Sequence, residues 1–445
     1  MPDASLTKRI LALAIPSLGA LIAEPLFLLT DTAMVGHLGA SALASLGLAS
    51  TILTTVIGLL IFLAYATTPI VARRLGAGNR PGALSAGIDG LWLALGLGVI
   101  LGALGYALTP LVVGWFGAAG DVSLGAVSYL TISWWGLPGM LLVIAATGLM
   151  RGLQDTRTPL WIALAGFSAN AALNAVLIYG LGLGLIGSAL GTVLAQWAMA
   201  AVFLAIVIRE ARAHRVSLTP GMLGISAAVR SGSWLFVRTL SLRVALIATV
   251  VVATGLGTRE LAAWHIVFTI FSLLALALDA LAIAAQALVG HDLGSGNVQT
   301  VRQTTSTLMA WGFMGGGMLA ILTGLLSPVL PFVMTSDGPL REVLVVVLIL
   351  LALTLPLSGF VFVLDGVLIG AGDGKYLALT GVLNVVMFAP ILWLASITQW
   401  EVSGVNLGGL LMLEAAFGVS YIGARALTLG LRARGERWMV TGESR

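Results

Sequence analysis

Apolar segments long enough to cross a membrane recur along the whole chain, and this feature constrains the fold more than any other. A helix needs about 20 apolar residues to cross the hydrocarbon core. Only 9% of the residues are charged, against about 25% in a soluble domain. We therefore predict an all-α polytopic membrane protein with twelve spans, at 10–34, 44–72, 87–115, 124–149, 159–180, 184–208, 227–254, 261–289, 304–334, 342–370, 376–399 and 403–428.

The basic residues of the loops predict the orientation of these spans. Alternate loops contain most of the 22 Lys and Arg residues, among them Lys8, Arg73, Arg151, Arg209 and Arg425. Loops with this excess face the cytoplasm. Both termini are therefore predicted to be cytoplasmic in a multi-pass protein of a bacterial cytoplasmic membrane.

The chain also contains an internal repeat at a constant offset. LGAGN at 75–79 corresponds to LGSGN at 293–297, and Gly148, Gly152 and Asp155 correspond to Gly366, Gly370 and Asp373. The offset preserves an even number of spans, which indicates a parallel repeat about an axis along the membrane normal. We predict two six-helix bundles related by this pseudo-two-fold axis: a lobe at 1–208, a cytoplasmic linker at 209–226, a lobe at 227–430 and a cytoplasmic tail at 431–445. The two Gly-rich loops are read as tight turns between helices, since neither has the strand or the Lys of a phosphate-binding loop.

The first span contains an acid, Asp31, inside its apolar run, and a second acid, Glu24, lies nearer the middle of the span. An ionised Asp in the bilayer costs about 2.5–3.5 kcal/mol, so such a residue is expected to face a cavity or a partner. Pro16 and Pro25 remove backbone donors and allow the helix to bend. We interpret Asp31 as a proton-coupling residue on a bendable helix. Glu24 is expected either to line the same cavity or to extend to the interface.

Polar residues on two further spans complete a candidate site in the first lobe. Asn170 and Asn174 are four residues apart on the fifth span, and Thr192 and Gln196 have the same spacing on the sixth. Residues four apart share a helical face. Together with Asp31 these side chains either hold a proton or a small cation, or connect helices by hydrogen bonds. Phe27 and Met34 flank Asp31 and offer an apolar wall for a drug, with helix packing or lipid contact as the alternative.

The second lobe contains its own group of charged residues at membrane depth. The group consists of Arg238 and Arg243 on the seventh span, Asp279 on the eighth and Asp365 on the tenth. Two bases and two acids predict ion pairing, which by itself is weak evidence for function. A cleft-lining or proton-linked role is the alternative. Glu414 is interpreted as lying near a span end and as interfacial.

Several function classes are not supported by the sequence. The chain has no cysteine, and its four histidines lack metal-ligand spacing, so no metal site or cofactor is predicted. No catalytic Ser-His-Asp set or carboxylate pair is present, so the chain is not expected to be an enzyme. The net charge of +4 is spread over the loops and does not predict nucleic-acid binding.

Six motifs taken together resemble the multidrug and toxic compound extrusion (MATE) family, in particular its DinF branch. They are DTAMVGHLG after the first span, LGAGN and LGSGN in the loops, GLMRGLQDTRTP, LDALAIAAQALVG and LDGVLIGAGD. The resemblance implies twelve helices in two bundles and efflux of amphipathic, often cationic drugs driven by H⁺ or Na⁺. It further implies that the acid of the first helix, here Asp31, carries the coupling ion.

The chain departs from the family pattern in ways that bear on the coupling ion. In relatives, the proposed cation site adds an Asn and an Asp on the fifth helix and a Thr on the sixth; the matching positions are Asn170, Asn174 and Thr192. Asn174 replaces the second acid. The acid that Na⁺-linked relatives have on the seventh helix is not found, whereas Asp365 matches an acid of the tenth. The resemblance therefore favours H⁺ over Na⁺.

We expect a monomeric, proton-coupled multidrug antiporter that contacts small-molecule drugs and the lipid bilayer and needs no cofactor. Two alternatives stay open. The first is a Na⁺-coupled antiporter with Na⁺ at Asp31, Asn170, Asn174 and Thr192. The second is a flippase for lipids or lipid-linked oligosaccharides, whose cleft would need several basic residues for phosphate; Arg238 and Arg243 are the candidates here.

Overall fold

Twelve helices long and apolar enough to span a membrane are present in the computed structural model, which describes residues 4–442. The predicted number of spans is thus confirmed. The spanning helices are α1 Ala4–Gly36, α2 Ala40–Gly76, α3 Arg80–Trp115, α4 Gly120–Gly152, α5 Arg157–Gly180, α6 Gly184–Ala213, α7 Met222–Leu256, α8 Thr258–Gly294, α9 Val298–Leu326, α10 Gly338–Gly370, α11 Gly374–Ile397 and α12 Leu407–Arg434.

Two span boundaries differ from the prediction because the chain turns within an apolar segment. The ninth predicted span included a separate short helix, Leu330–Met334, which begins at a proline-containing turn after α9. The twelfth, predicted at 403–428, included the turn and the second strand of an antiparallel hairpin of β1 Glu401–Val402 and β2 Val405–Asn406, which precedes α12. Hydropathy does not distinguish a continuous helix from one interrupted by such a turn.

Several spanning helices contain local departures from α-helical geometry. α2 is interrupted at Ile61, and α4 contains a 3₁₀ turn at Trp134–Gly136. α5 ends in a π-helix at Ala175–Gly180, and α12 contains another at Ala415–Tyr421. π-Helical stretches are rare and occur frequently at functional sites.

The two Gly-rich loops form matching turns between helices. Gly78 and Gly296 adopt left-handed φ angles of 81° and 79°, which glycine accepts without steric cost. The next residue in each loop caps a helix: Asn79 Oδ1 accepts a hydrogen bond from the Gly82 amide at 2.8 Å, and Asn297 Oδ1 accepts one from the Thr300 amide at 3.1 Å. The interpretation of these loops as tight turns is confirmed.

The repeated glycines of α4 and α10 bring these helices close to equivalent neighbours. A Cβ on Gly148 would lie 2.8 Å from Ala64 Cα, and a Cβ on Gly366 would lie 2.9 Å from Ala282 Cα. Ala64 and Ala282 are themselves related by the offset of the repeat. Small residues allow membrane helices to pack backbone to backbone. The same contact therefore occurs in both halves of the chain, which supports the internal repeat.

By its internal contacts, the chain divides into two compact units. Among the described residues, the first unit consists of Ile15–Gly232, and the second consists of 233–442 together with 4–14. α6 continues to Ala213 and α7 begins at Met222, so the non-helical connection is shorter than the predicted linker 209–226. The assignment of lobes and linker stays a prediction.

Candidate functional site

Asp31 is buried near the end of α1, with only 6% of its surface exposed. α1 remains helical through Pro16 and Pro25. Asp31 Oδ1 accepts hydrogen bonds from Asn174 Nδ2 and from Ser188 Oγ, both at 2.8 Å. α5 and α6 therefore both bind α1 through one carboxylate oxygen, and both donors are electrically neutral.

The hydrogen bonds continue from Asp31 along α5 to α6. Asn174 Nδ2 also donates to Asn170 Oδ1 at 3.0 Å, and Asn170 Nδ2 donates to Thr192 Oγ1 at 3.1 Å. Both asparagines are buried. The structure thus brings together Asp31, Asn170, Asn174 and Thr192, in an arrangement in which the Asn174 amide nitrogen lies between the oxygens of Asp31 and Asn170.

Two residues of this network were not identified from the sequence. Ser188 precedes Thr192 by four residues on α6, so its helical spacing was a usable signal. The buried phenol of Tyr129, on α4, interacts with Ser188, Thr192 and Ser133 and with the charge of Asp31. Ser133 follows Tyr129 by four residues, so for Tyr129 too a helical spacing was the signal available in the sequence.

Glu24 and Gln196 lie outside the network. Glu24 is exposed on α1, and the structure therefore does not place it against Asp31. Gln196 is half-buried, and its Oε1 packs closely against Gly136 of α4. Gln196 is thus turned toward the 3₁₀ turn of α4, although it shares a helical face with Thr192.

Phe27 and Met34, which were predicted to form one drug-binding wall, have surroundings that differ from each other. Phe27 stacks on Phe167 of α5, with ring centroids 4.9 Å apart. Met34 instead lines an open cavity of about 550 Å³ together with Leu26, Leu29, Thr30, Ala33, His37 and Tyr179. The Tyr179 hydroxyl donates to the Met34 carbonyl at 2.6 Å. The cavity is mainly apolar with three polar side chains at its surface, and it lies on another face of α1 than Asp31.

In the second unit, Asp365 is bound by two arginines. Arg238 Nη2 of α7 contacts Asp365 Oδ2, and Arg425 Nη2 of α12 donates to Asp365 Oδ1 at 2.6 Å. All three side chains are largely buried. Arg425 was counted among the cytoplasmic loop residues; this was wrong, because α12 continues through it and turns it inward.

Among the described residues, the other two members of the predicted second-lobe group do not form an ion pair with Asp365. Arg243 is exposed, one and a half turns beyond Arg238 on α7, and Asp279 is half-buried on α8. The interpretation of Glu414 as interfacial is also wrong, since only 1% of its surface is exposed. Within residues 4–442, no group of three or more His, Cys, Asp or Glu side chains has the geometry of a metal site.

Comparisons with known proteins agree with this architecture. The MatE family model matches residues 16–176 and 235–394, one segment in each half. The chain is 28% identical to Protein DETOXIFICATION 44, chloroplastic, of Arabidopsis thaliana, over 93% of this chain and 81% of the relative. It is 28% identical to DNA damage-inducible protein F of Escherichia coli K12, over 65% of this chain and 64% of the relative.

Solved structures with the same fold cover nearly the whole chain. A mutant of the Vibrio cholerae MATE transporter VcmN superposes with a TM-score of 0.86 at 20% identity, covering 98% of this chain and 99% of the other. A MOP superfamily transporter from Pyrococcus furiosus gives a TM-score of 0.85 at 22% identity, covering 96% and 95%. At this identity the likeness establishes the fold.

Proposed function

Because the chain belongs to the MatE family of membrane transporters, we propose that it exports amphipathic, cationic organic compounds in exchange for H⁺. Asp31 is the proton-binding residue of this proposal. The observation that carries it is a buried carboxylate held by two neutral donors, Asn174 and Ser188. A carboxylate without a cationic partner can gain and lose a proton at modest cost, whereas one in an ion pair holds its charge.

Protonation of Asp31 changes how strongly α1 is bound to its neighbours. Both hydrogen bonds that the described residues donate to Asp31 go to Oδ1, so Oδ2 is the oxygen at which a proton adds. A hydrogen bond to a charged group contributes about 1.5–3 kcal/mol, and one to a neutral group about 0.5–1.5 kcal/mol. Protonation therefore weakens the attachment of α1 to α5 and α6. Binding and release of a proton at Asp31 would thus control the movement of α1.

The position of Asn174 favours H⁺ over Na⁺. A cation shared by Asp31 and Asn170 would have to lie between their oxygens. That position is filled by the Asn174 amide nitrogen, 2.8 Å from Asp31 Oδ1 and 3.0 Å from Asn170 Oδ1. The amide donates hydrogen bonds in the place where Na⁺ would need an oxygen ligand.

The cavity beside α1 supports an amphipathic substrate. Its volume of about 550 Å³ lies within the range of drug-sized sites, which are mainly apolar with a few polar groups. Leu26, Leu29 and Met34 supply apolar surface, and Thr30, His37 and Tyr179 supply polar groups. The cluster around Arg238 does not favour a flippase, because Asp365 already engages this arginine.

The test uses proteoliposomes with an imposed pH gradient and no Na⁺, and it follows transport of ethidium. We expect transport that collapses with an uncoupler and is lost in Asp31→Asn. Glu24→Gln is the matched control, because it removes an exposed acid from the same helix and should keep wild-type transport. Transport that requires Na⁺ would contradict H⁺ coupling. Full drug/proton exchange by Asp31→Asn would contradict the role of Asp31.

The proposal also includes location and assembly. We expect a monomer in a bacterial cytoplasmic membrane with both termini in the cytoplasm, as the distribution of basic residues predicts. Single-cysteine variants at either terminus of this cysteine-free chain should react with membrane-impermeant maleimide only after the cells are opened. Labelling in intact cells would contradict this orientation.

A further inference from the structure

Glu414 is a second buried acid that the proposed mechanism at Asp31 does not use. It is the last residue of the α-helical segment Leu407–Glu414 and directly precedes the π-helix Ala415–Tyr421 of α12. Only 1% of its surface is exposed, and its Oε1 has no hydrogen-bond partner among the described residues. A fully buried carboxyl oxygen without a donor is costly if the group is ionised.

The Glu414 carboxyl lies between its own helix and α10. A Cβ on Gly418 would lie 2.9 Å from Glu414 Oε1 and 2.8 Å from Thr354 Cγ2. The missing side chain of Gly418, one turn further along α12, therefore provides the space that the carboxyl occupies. The carboxyl interacts with the Thr354 hydroxyl of α10. The site is thus shaped around this one acid.

The hydroxyl of Thr354 bears on the protonation state of Glu414. A threonine hydroxyl has a single hydrogen to donate, and Thr354 Oγ1 donates it to the Leu351 carbonyl at 2.8 Å. With its hydrogen engaged in this way, Thr354 does not donate a hydrogen bond that would stabilise an ionised Glu414, which agrees with the absence of a partner for Glu414 Oε1 among the described residues.

No charged side chain among the described residues faces the Glu414 carboxyl. Within residues 4–442, the Thr354 hydroxyl is the one side-chain group with an electrostatic interaction with this carboxyl. Asp365 of α10 is bound to two arginines, Glu260 of α8 accepts a hydrogen bond from the Asn406 amide, and Lys375 of α11 lies over Trp234. The nearest elements also present Asp279, which is half-buried on α8, Glu401, which is exposed on β1, and Tyr421 on the π-helix. An ionised Glu414 would therefore be a buried charge without a counter-ion.

In the first unit, Asn174 resembles Glu414 in that it is a buried polar residue placed directly before a π-helix. Asn174 directly precedes the π-helix Ala175–Gly180 and binds Asp31. A π-helical stretch can return to α-helical geometry when the chain shifts by one residue. Such a shift after Glu414 would move Gly418 away from the carboxyl and open the site to water.

We propose that Glu414 is a second proton-binding site, in the second unit, which is protonated in this conformation and releases its proton when the π-helix after it rearranges. The inference rests on the proposed H⁺-coupled export. It implies two protons per substrate, one at Asp31 and one at Glu414.

The first test measures the number of protons coupled to each ethidium. Proteoliposomes are held at zero membrane potential with a pH gradient of about one unit, and the ethidium gradient is read when net transport stops. Each coupled proton then contributes about a tenfold ratio, since one pH unit corresponds to about 1.36 kcal/mol. We expect Glu414→Gln to lower the final ethidium gradient about tenfold, whereas the exposed control Glu401→Gln leaves it unchanged. An unchanged gradient in Glu414→Gln would overturn the proposal.

Infrared spectroscopy of the purified protein gives a second readout that does not require transport. The carbonyl stretch of a protonated carboxyl group should be present in the wild type, absent in Glu414→Gln and shifted in Glu414→Asp. The band should diminish when ethidium binds or when the pH is raised. A band that is missing, or that responds to neither change, would overturn the proposal even if Glu414→Gln fails to fold. Loss of H⁺-driven transport in the wild type would instead contradict the function at Asp31.

Discussion

Asp31 in the first unit and Asp365 in the second are buried aspartates with opposite surroundings. Asp31 accepts hydrogen bonds from an amide and a hydroxyl, whereas Asp365 is bound by the guanidinium groups of Arg238 and Arg425. Neutral donors stabilise a carboxylate without fixing its charge, and two cations make its protonation unfavourable. Burial of an acid therefore does not by itself indicate proton coupling; the charge of its partners does.

The largest expected effect is on stability and distinguishes the two aspartates directly. Asp365→Asn removes the negative charge that two buried arginines share and should cost about 3–5 kcal/mol of folding free energy. Asp31→Asn removes no counter-ion; it weakens two hydrogen bonds by about 1–1.5 kcal/mol each, and the lower cost of burying a neutral group offsets part of this loss, so its effect on stability should be the smaller of the two. Thermal unfolding in detergent measures both. Equal losses of stability in Asp365→Asn and Asp31→Asn would contradict the proposed difference between the surroundings of the two aspartates.

The next effect concerns the ion that the first site accepts. Asn174→Asp replaces the amide between Asp31 and Asn170 with an oxygen ligand and a second negative charge. We expect the variant to lose about 1.5–3 kcal/mol without Na⁺, because Asp31 loses a donor, and to regain stability in NaCl but not in choline chloride. The wild type should show no difference between the two salts. Equal responses of both proteins would show that the amide does not exclude Na⁺.

A smaller effect should appear in the pH dependence of transport. Ser188→Ala removes one of the two donors to Asp31, which makes the ionised form less stable. The ionised form loses about 1.5–3 kcal/mol and the protonated form about 0.5–1.5 kcal/mol. The difference of roughly 1–1.5 kcal/mol corresponds to about one pH unit, so the acid limb of ethidium transport should move to higher pH. Ser45→Ala is the control, because this buried hydroxyl donates to Ser41 and Val122 carbonyls instead. A shift to lower pH would contradict the role of Ser188.

The smallest effect concerns a turn that the two halves share. Gln154 adopts a left-handed φ of 65°, and the related position in the second half is Gly372, with φ of 72°. A longer side chain in this region is strained, so Gly372→Gln should lower the free energy of unfolding by less than about 1 kcal/mol. The change is measurable as a shift in thermal midpoint, and an unchanged midpoint would contradict the strain expected at this turn.

The number of spans, the repeat and four polar residues of the first site could be predicted from the sequence because each depends on local spacing. Asn170 and Asn174 share a helical face, and so do Ser188, Thr192 and Gln196. Spacing does not show which residues on one face of α6 come close to Asp31. For this reason the predicted site includes Gln196 and omits Ser188.

The cluster in the second unit was harder to predict because its third member lies far along the chain. Charge counting placed Arg425 with the cytoplasmic residues, since it stands close to Arg432 and Arg434 near the predicted end of the last span. Only the packing of α12 against α10 shows that Arg425 turns toward Asp365. Burial of Glu414 depends on Gly418 and Thr354 together, and no sequence pattern connects these two residues.

The hydrogen bond from Tyr179 to the Met34 carbonyl has a mechanical consequence for α1. Asn174 holds α1 at Asp31, and Tyr179 holds it three residues further on, at Met34. Both attachments come from α5, one just before its π-helix and one within it. When protonation of Asp31 weakens the contact with Asn174, the hydrogen bond between Tyr179 and Met34 remains and becomes the point about which α1 can rotate. Small displacements near Met34 would then accompany larger ones toward Pro25, so the hydroxyl of Tyr179 would determine where α1 stays fixed while the rest of the helix moves.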